Sequence, residues 1–209
     1  MFDTFYKPFF DSKDLPLTMT MKDFYEYSKI ELHFFTLELN KFEIVDVSYK
    51  TFPDIPVIQS VHMSCAIPTL ICPVCFDGKF FIDGGVISNY PIKYCLEQNK
   101  NVEEIFGINN IYNNLENNIV NHESTILEFA MHFVSKLVMH ANETDKNMGL
   151  IPNELSCNTP EISFSYMKEI MFSSDKRREL LEEGIKEADL YLSKSTFQKV
   201  KSNNFVPKD

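Results

Sequence analysis

The chain has 209 residues, of which 44% are hydrophobic and 24% charged, a balance that suits a globular protein with a core rather than a disordered one. Its net charge of -10 argues against electrostatic binding of nucleic acid and against general adhesion to anionic lipid. The sequence holds no apolar run near the ~20 residues of a membrane span, and its aromatic N-terminus lacks the pattern of a secretory signal. We therefore expect a cytoplasmic protein that could still touch membranes peripherally.

The cysteines do not form a recognisable framework. There are five of them, at irregular spacing, which disfavours a set of disulfides. Cys72-Pro73-Val74-Cys75 matches C-x-x-C, a pattern found in zinc and redox sites. A zinc site needs about four ligands, and no second pair or close histidine cluster follows. The sequence therefore predicts small apolar residues in or near a strand here, with no metal and no cofactor.

The first elements along the chain are a short helix and two strands. Residues 20–23 form a capping box that predicts the start of a helix. Residues 31–39 alternate well enough for a strand, residues 40–41 are a plausible turn, and residues 42–48 read as the returning strand.

A helix and a hairpin are predicted next. Apolar residues at helical spacing indicate a helix that carries Ile58 and Cys65 and stops before Pro68. Asp77-Gly78 lies between two apolar runs over residues 74–82, a strong signal for a β-hairpin because both central residues of a type I′ turn need positive φ.

The remaining segments are mostly helical. We predict helices over 91–99 and 123–142, a buried strand over 105–108, and a last helix capped by residues 173–175. Four residues repeat on the last helix at helical spacing: Leu181, Ile185, Ala188 and Leu192. We see no repeat and no linker, so residues 1–209 are predicted to be one domain.

The most informative segment is residues 80–91, where an apolar strand ends at Asp83 and two glycines follow. A carboxylate at a strand end beside a tight turn is well placed for chemistry, because strand ends carry the sites of α/β folds. Asp-Gly is also common in turns for conformational reasons alone. Gly84 and Gly85 permit a tight path and would tolerate positive φ. Taken by itself, this segment leaves both interpretations open.

An ordered series of motifs resembles the patatin-like phospholipases. The residues that carry the resemblance are 49–57, Met63-Ser64-Cys65-Ala66-Ile67-Pro68, Phe76-Asp77-Gly78-Lys79-Phe80-Phe81-Ile82-Asp83-Gly84-Gly85 and Asn89-Tyr90-Pro91, within a best-matching region of about residues 20 to 110. The C-terminal helices, over 122–195, resemble the family less specifically. The resemblance implies an α/β fold: an incomplete three-layer sandwich with a mostly parallel central sheet, missing the first strand and the nucleophile helix.

The resemblance also implies a chemistry. In this family a Ser-Asp dyad hydrolyses lipid acyl esters, including phospholipids, in lipid degradation without a cofactor. Asp83 matches the aspartate that acts as general base, and Gly84, Gly85, Asn89 and Pro91 match the supporting motif. A serine hydroxyl becomes a good nucleophile when such a base takes its proton.

The chain departs from the family at the nucleophile. Its six glycines, at 78, 84, 85, 107, 149 and 184, leave no G-x-S-x-G and no glycine-rich oxyanion loop. We interpret Ser64 as a packing residue and Ser88 as a turn residue. The histidines, at 33, 62, 122, 132 and 140, are scattered and are predicted to be structural or solvated. The sequence thus predicts a base without a nucleophile in the same chain.

Three hypotheses remain. The chain could be part of a lipid acyl hydrolase, completed by a missing segment or by a partner chain that supplies the serine. It could be a non-catalytic remnant that binds lipid or protein. A decayed reading frame is disfavoured by the amphipathic patterns, which persist into the last helix. Because such an incomplete sheet exposes an edge and an apolar face, we expect the isolated chain to be marginally stable or to need a partner.

Overall fold

Residues 2–98, 101–113, 120–145, 151–160 and 164–194 are described by a computed structural model of the chain. Backbone contacts divide it into two compact units. The first comprises Met1–Pro91 with Lys136–Asp145, and the second comprises Ile92–Ser135 with Lys146–Asp209. The assignment of 1–209 to one domain stays a prediction, and each unit is described by itself below.

Three helices of the first unit are α1 (Phe2–Asp11), α2 (Met21–Ser28) and α3 (Val57–Ser64). The predicted capping box opens α2: Thr20 Oγ1 accepts the Asp23 N–H and Asp23 Oδ2 accepts the Thr20 N–H, each over 3.1 Å. The helix predicted before Pro68 is confirmed as α3, except that Cys65 lies just beyond its last residue. No pattern predicted α1, which contains Pro8 and has no buried residue.

The sheet of the first unit has four strands: β1 (Phe34–Glu38), β2 (Glu43–Val47), β3 (Val74–Phe76) and β4 (Lys79–Asp83). Their order is β2-β1-β4-β3, and each pairing is antiparallel. The prediction of a mostly parallel central sheet is therefore wrong for this sheet. Only residues 39–42 separate β1 from β2, and parallel neighbours would need a crossover of a dozen residues or more.

The hairpin between β3 and β4 is confirmed together with its turn type. Asp77 has φ of 49° and Gly78 has φ of 69°, the positive values that a type I′ turn requires. Phe76 therefore pairs with Lys79, and Val74 pairs with Phe81. This register turns Phe81 into the core, where it is 1% exposed, and leaves Phe80 on the other face at 46%.

The core of the first unit lies between the sheet and its helices. Buried side chains from α2, α3, three strands and the loop before α3 meet there: Met21, Val47, Ile55, Val57, Met63, Val74 and Phe81. Partly buried aromatic residues pack around them, and Phe52 makes an edge contact with Phe81 at 6.5 Å between ring centroids. Burial of each large side chain contributes about 1.5–3 kcal/mol, so this cluster stabilises the end of β4 that carries Asp83.

The second unit pairs two strands in parallel. These are β5 (Phe106–Asn113) and β6 (Asn153–Pro160), and β5 extends the strand predicted over 105–108. That strand was predicted to be buried, but Phe106 and Ile108 are exposed at 52% and 60% because alternate side chains point to opposite faces. The helix α4 (Ile92–Gln98) matches the one predicted over 91–99. No pattern predicted β6, whose polar residues give no strand signal.

Three further helices are α5 (Ile126–Asp145), α6 (Phe164–Phe172) and α7 (Ser174–Lys194). The last begins as predicted, because Ser173 Oγ accepts the Lys176 N–H over 3.1 Å. Three of the four residues that repeat along it are exposed: Leu181 at 70%, Ile185 at 60% and Leu192 at 55%. Within the described ranges, none of the helices combines the length and the apolar character needed to cross a membrane.

Candidate functional site

Asp83 ends β4 at a point where three elements meet. It lies opposite Thr36 of β1, and its own N–H donates to the Ala66 carbonyl, just beyond α3, over 3.0 Å. The buried Thr36 hydroxyl lies 2.7 Å from the Ile82 carbonyl oxygen and 3.2 Å from the Met63 carbonyl oxygen. Strand pairing and these side-chain bonds together fix the backbone of Asp83.

Gly84 is required by a close approach of two backbones. A Cβ at this position would lie 2.7 Å from the Phe35 carbonyl oxygen and 2.9 Å from the Phe35 carbonyl carbon. No real Cβ is found that close to a backbone atom, so only glycine lets the turn pass under β1. Among the described glycines, positive φ belongs to Gly78 and not to this pair. The two glycines therefore provide space rather than a left-handed conformation.

Gly85 supports the Asp83 carboxylate directly. Its N–H donates to Asp83 Oδ1 over 2.8 Å, at the first turn of a short 3-10 helix over Gly84–Val86. A Cβ on Gly85 would lie 2.9 Å from Asn89 Oδ1 and 3.0 Å from Asp83 Oδ1. The carboxylate and the Asn89 amide therefore lie side by side over this glycine.

Burial governs the electrostatics of this carboxylate. Desolvation raises the pKa of Asp83 above its usual value, and the hydrogen bond from the Gly85 N–H offsets part of that rise. A raised pKa moves the carboxylate toward the range of an effective proton acceptor. The neighbouring Cys65 thiol also has a raised pKa, through its own burial first and the charge of Asp83 second, so it is a poor source of thiolate.

Asp83 opens into a cleft of about 310 Å³. The residues that line it come from β1 and the residue before it, from α3, from β4 and from the segment after β4: His33, Phe35, Ser64, Asp83, Gly85, Ser88, Asn89 and Pro91. Four of the five motif residues from the sequence line this cleft, and the fifth, Gly84, is buried beneath β1. Sequence reasoning missed His33 and Phe35, which only the pairing of β1 with β4 brings to Asp83.

The two serines of the cleft are held by backbone contacts. Ser64 Oγ donates to the Phe35 carbonyl over 2.8 Å, which ties the end of α3 to β1. Ser88 is 4% exposed, and its N–H donates to the Gly84 carbonyl over 3.0 Å. These contacts are those of a packing residue and a turn residue. The hydroxyl of Ser64 is directed to a carbonyl and not to Asp83.

The structure assembles no metal site among the residues that it describes, where no group of three or more His, Cys, Asp or Glu side chains converges. Cys72 and Cys75 are both exposed, the first before β3 and the second within it. The strand expected near this pair is thus present.

Comparison with known proteins identifies the segment that holds this cleft. Residues 2–96 match the family model of the patatin-like phospholipases. The chain is also 28% identical over 112 residues to a probable lipid hydrolase, 463L, of Invertebrate iridescent virus 6, an alignment that covers 51% of this chain and 39% of the viral protein. The chain thus matches well under half the length of that relative. The resemblance predicted from the motifs is confirmed for the segment that carries Asp83.

Proposed function

Because residues 2–96 match the family model of the patatin-like phospholipases, we propose that this chain carries the general base of a lipid acyl hydrolase, Asp83. The nucleophilic serine of the dyad would come from a segment outside these 209 residues, on the same polypeptide or on a partner chain. The observation that carries the proposal is a half-buried carboxylate with a raised pKa, held at a strand end in an open cleft.

The chemistry requires little of this chain beyond that carboxylate. Asp83 takes the proton of the serine hydroxyl while the serine oxygen attacks the ester carbonyl carbon. The neutral acid then returns the proton to the departing alcohol, which leaves an acyl-serine and restores the carboxylate. A water molecule repeats the sequence to release the fatty acid, with Asp83 as acceptor and donor once more.

The position of Asp83 suits this exchange. The Gly85 N–H donates to Oδ1 and fixes the orientation of the carboxylate, and we propose that the other oxygen, Oδ2, accepts from a hydroxyl that enters the cleft. Burial keeps the neutral acid within energetic reach, since desolvation disfavours the charged form. An exposed turn aspartate would have neither property.

The substrate class follows from the family and from the viral relative, whose name describes a lipid hydrolase. We propose a lipid ester such as a phospholipid, whose neutral ester carbonyl would enter the cleft. Ser64 and Ser88 are not proposed as nucleophiles, because the Ser64 hydroxyl donates to a backbone carbonyl and the Ser88 side chain is almost fully buried.

Ester hydrolysis tests the proposal. The chain would be assayed on a short-chain ester, alone and mixed with a G-x-S-x-G segment encoded by the adjoining DNA. We expect turnover in the mixture only, and Asp83→Asn should reduce it by at least a factor of about 100, the lower range for loss of a general base. Asp77→Asn is the matched control: this acid lies in the exposed turn of the same hairpin, and asparagine tolerates its positive φ.

The alternative is a non-catalytic module that binds lipid or protein. The absence of G-x-S-x-G favours it, together with the engagement of Ser64 by the backbone. A mixture that stays inert while the chain alone co-sediments with phosphatidylcholine vesicles would favour binding over catalysis. Turnover by the chain alone that Asp83→Asn abolishes would overturn the claim that the nucleophile lies elsewhere.

A further inference from the structure

His33, which lines the Asp83 cleft, contacts two carboxylates. Its Nδ1 lies 2.9 Å from Asp46 Oδ1 and 2.8 Å from Asp46 Oδ2. On the other side of the ring, Nε2 lies 3.2 Å from Glu31 Oε1. Lys50 Nζ continues the series at 2.7 Å from Glu31 Oε1 and 3.0 Å from Glu31 Oε2. The result is a chain of four groups from Asp46 to Lys50.

This chain of contacts spans three segments of the backbone. Glu31 and His33 lie immediately before β1, Asp46 lies in β2, and Lys50 lies beyond the end of β2. The inner side chains are largely shielded from solvent, with exposures of 20% for His33, 27% for Asp46 and 28% for Glu31. Lys50 is 59% exposed and is the last of the four groups, at the surface.

The number of protons on the ring decides which contacts can exist. A neutral imidazole has one N–H and one lone pair, and an imidazolium has two N–H groups. Nδ1, which has the shorter contacts, needs a hydrogen to donate to Asp46. The Nε2 contact is an ion pair by distance and not a hydrogen bond, because Glu31 Oε1 has no hydrogen-bond partner among the described residues, so the ring attracts Glu31 only while it carries a positive charge. Both contacts are favourable together only when the ring is charged.

The arrangement points to a proton-operated link: we propose that protonated His33 joins Asp46 to Glu31 beside the Asp83 cleft, and that loss of the Nε2 proton releases Glu31 together with Lys50. The bond between Nδ1 and Asp46 remains in both states. Histidine is the residue suited to this role, because its proton exchanges between about pH 5 and 8.

Release would change the charge beside the cleft, which His33 lines and to which it connects the other three groups. The four groups are together neutral when the ring is protonated and carry one negative charge when it is not. Asp83 faces the same cleft from β4, so an anionic ligand would meet a less favourable cleft in the deprotonated state. Tyr25 and Tyr49 adjoin Glu31 and Lys50, and the pKa of Tyr49 is raised, first by its hydrogen bond with Tyr25, so it stays neutral throughout. This link does not depend on the acyl-hydrolase proposal.

Nuclear Overhauser contacts in the intact chain can test the link. The chain would be titrated between about pH 5 and 8 while contacts from the His33 ring to the Glu31 and Asp46 side chains are followed. We expect the Glu31 contacts to vanish as the ring loses its proton and the Asp46 contacts to persist. His122, whose side chain is 91% exposed, provides an internal control whose titration should leave the Lys50 amide signal unchanged.

Two variants separate the link from other effects of pH. In His33→Gln the Lys50 amide should show no step with pH, and in Glu31→Gln the ring should still titrate without the Lys50 amide following it. The proposal is overturned if Glu31 contacts survive deprotonation of the ring, if the ring does not titrate in this range, or if the Lys50 step persists in His33→Gln. The wild-type titration decides the question even if a variant does not fold.

Discussion

Gly84→Ala should destabilise the first unit because the added methyl group would overlap backbone atoms of β1. The Cβ would lie 2.7 Å from the Phe35 carbonyl oxygen and 3.1 Å from the Thr36 nitrogen, where optimal contacts are about 3.5–4.0 Å. These are backbone atoms of β1, which pairs with β2 on one side and β4 on the other, so the strand cannot yield without breaking register. Overpacking costs about 1–3 kcal/mol, and the rigid neighbour places this case at about 3 kcal/mol.

Urea unfolding followed by far-ultraviolet circular dichroism measures this loss as a lower midpoint. Gly184→Ala is the control of opposite sign, because a Cβ there meets nothing within 4 Å and the residue lies inside α7. Alanine at that helical position should stabilise by about 0.5–1 kcal/mol. A Gly84→Ala midpoint at or above that of the wild type would refute the reasoning from close approach.

Three further predictions concern other parts of the first unit. Burial raises the pKa of Asp83 in the folded state above its value in the unfolded state. Protonated Asp83 therefore contributes its full stability below the pKa of the unfolded state, and this stability is lost as pH rises through the pKa of the folded state. Asp83→Asn has no charge to desolvate, so thermal melts at neutral pH should show it more stable than the wild type, with the difference vanishing below about pH 4; a wild type more stable at neutral pH would contradict this. Thr20→Ala removes the capping box of α2 and should cost about 1 kcal/mol in a thermal melt, unless the helix start is held by packing alone. Phe81→Ala should cost about 3–5 kcal/mol and Phe80→Ala about 1 kcal/mol or less in urea unfolding, and equal losses would refute the assigned register.

Local chemistry made several elements predictable from sequence. The type I′ turn follows from Asp77-Gly78 because these two residues tolerate positive φ better than others. The start of α2 follows from the reciprocal bonds of Thr20 and Asp23. In each case the residues that make the signal also make the contacts, within four positions of each other. The turn and the helix start are therefore determined by the same few residues that predict them.

The choice of strand neighbours could not be read in the same way. Nothing in the alternating pattern of β1 indicates that β2 will pair with one of its edges and β4 with the other. That choice places Thr36 opposite Asp83, and it brings His33 and Phe35 into the cleft. The period of a strand reports which face is buried, whereas its partner is set by contacts between distant segments. His33, one of several histidines scattered along the sequence, lies in the cleft for this reason.

The two glycines after Asp83 have a different role in the structure from the one that a turn alone would give them. A tight turn alone would explain them if they had positive φ, and the turn interpretation would then suffice. They instead make room for the Phe35 carbonyl and for the Asp83 carboxylate. That carboxylate bears a raised pKa, so its charge works against folding at neutral pH. An asparagine could accept the same Gly85 N–H without this penalty, which means that a turn has no need of the charge but a proton acceptor does. A gain in stability for Asp83→Asn, together with loss of turnover in the completed enzyme, would distinguish a functional carboxylate from a structural one.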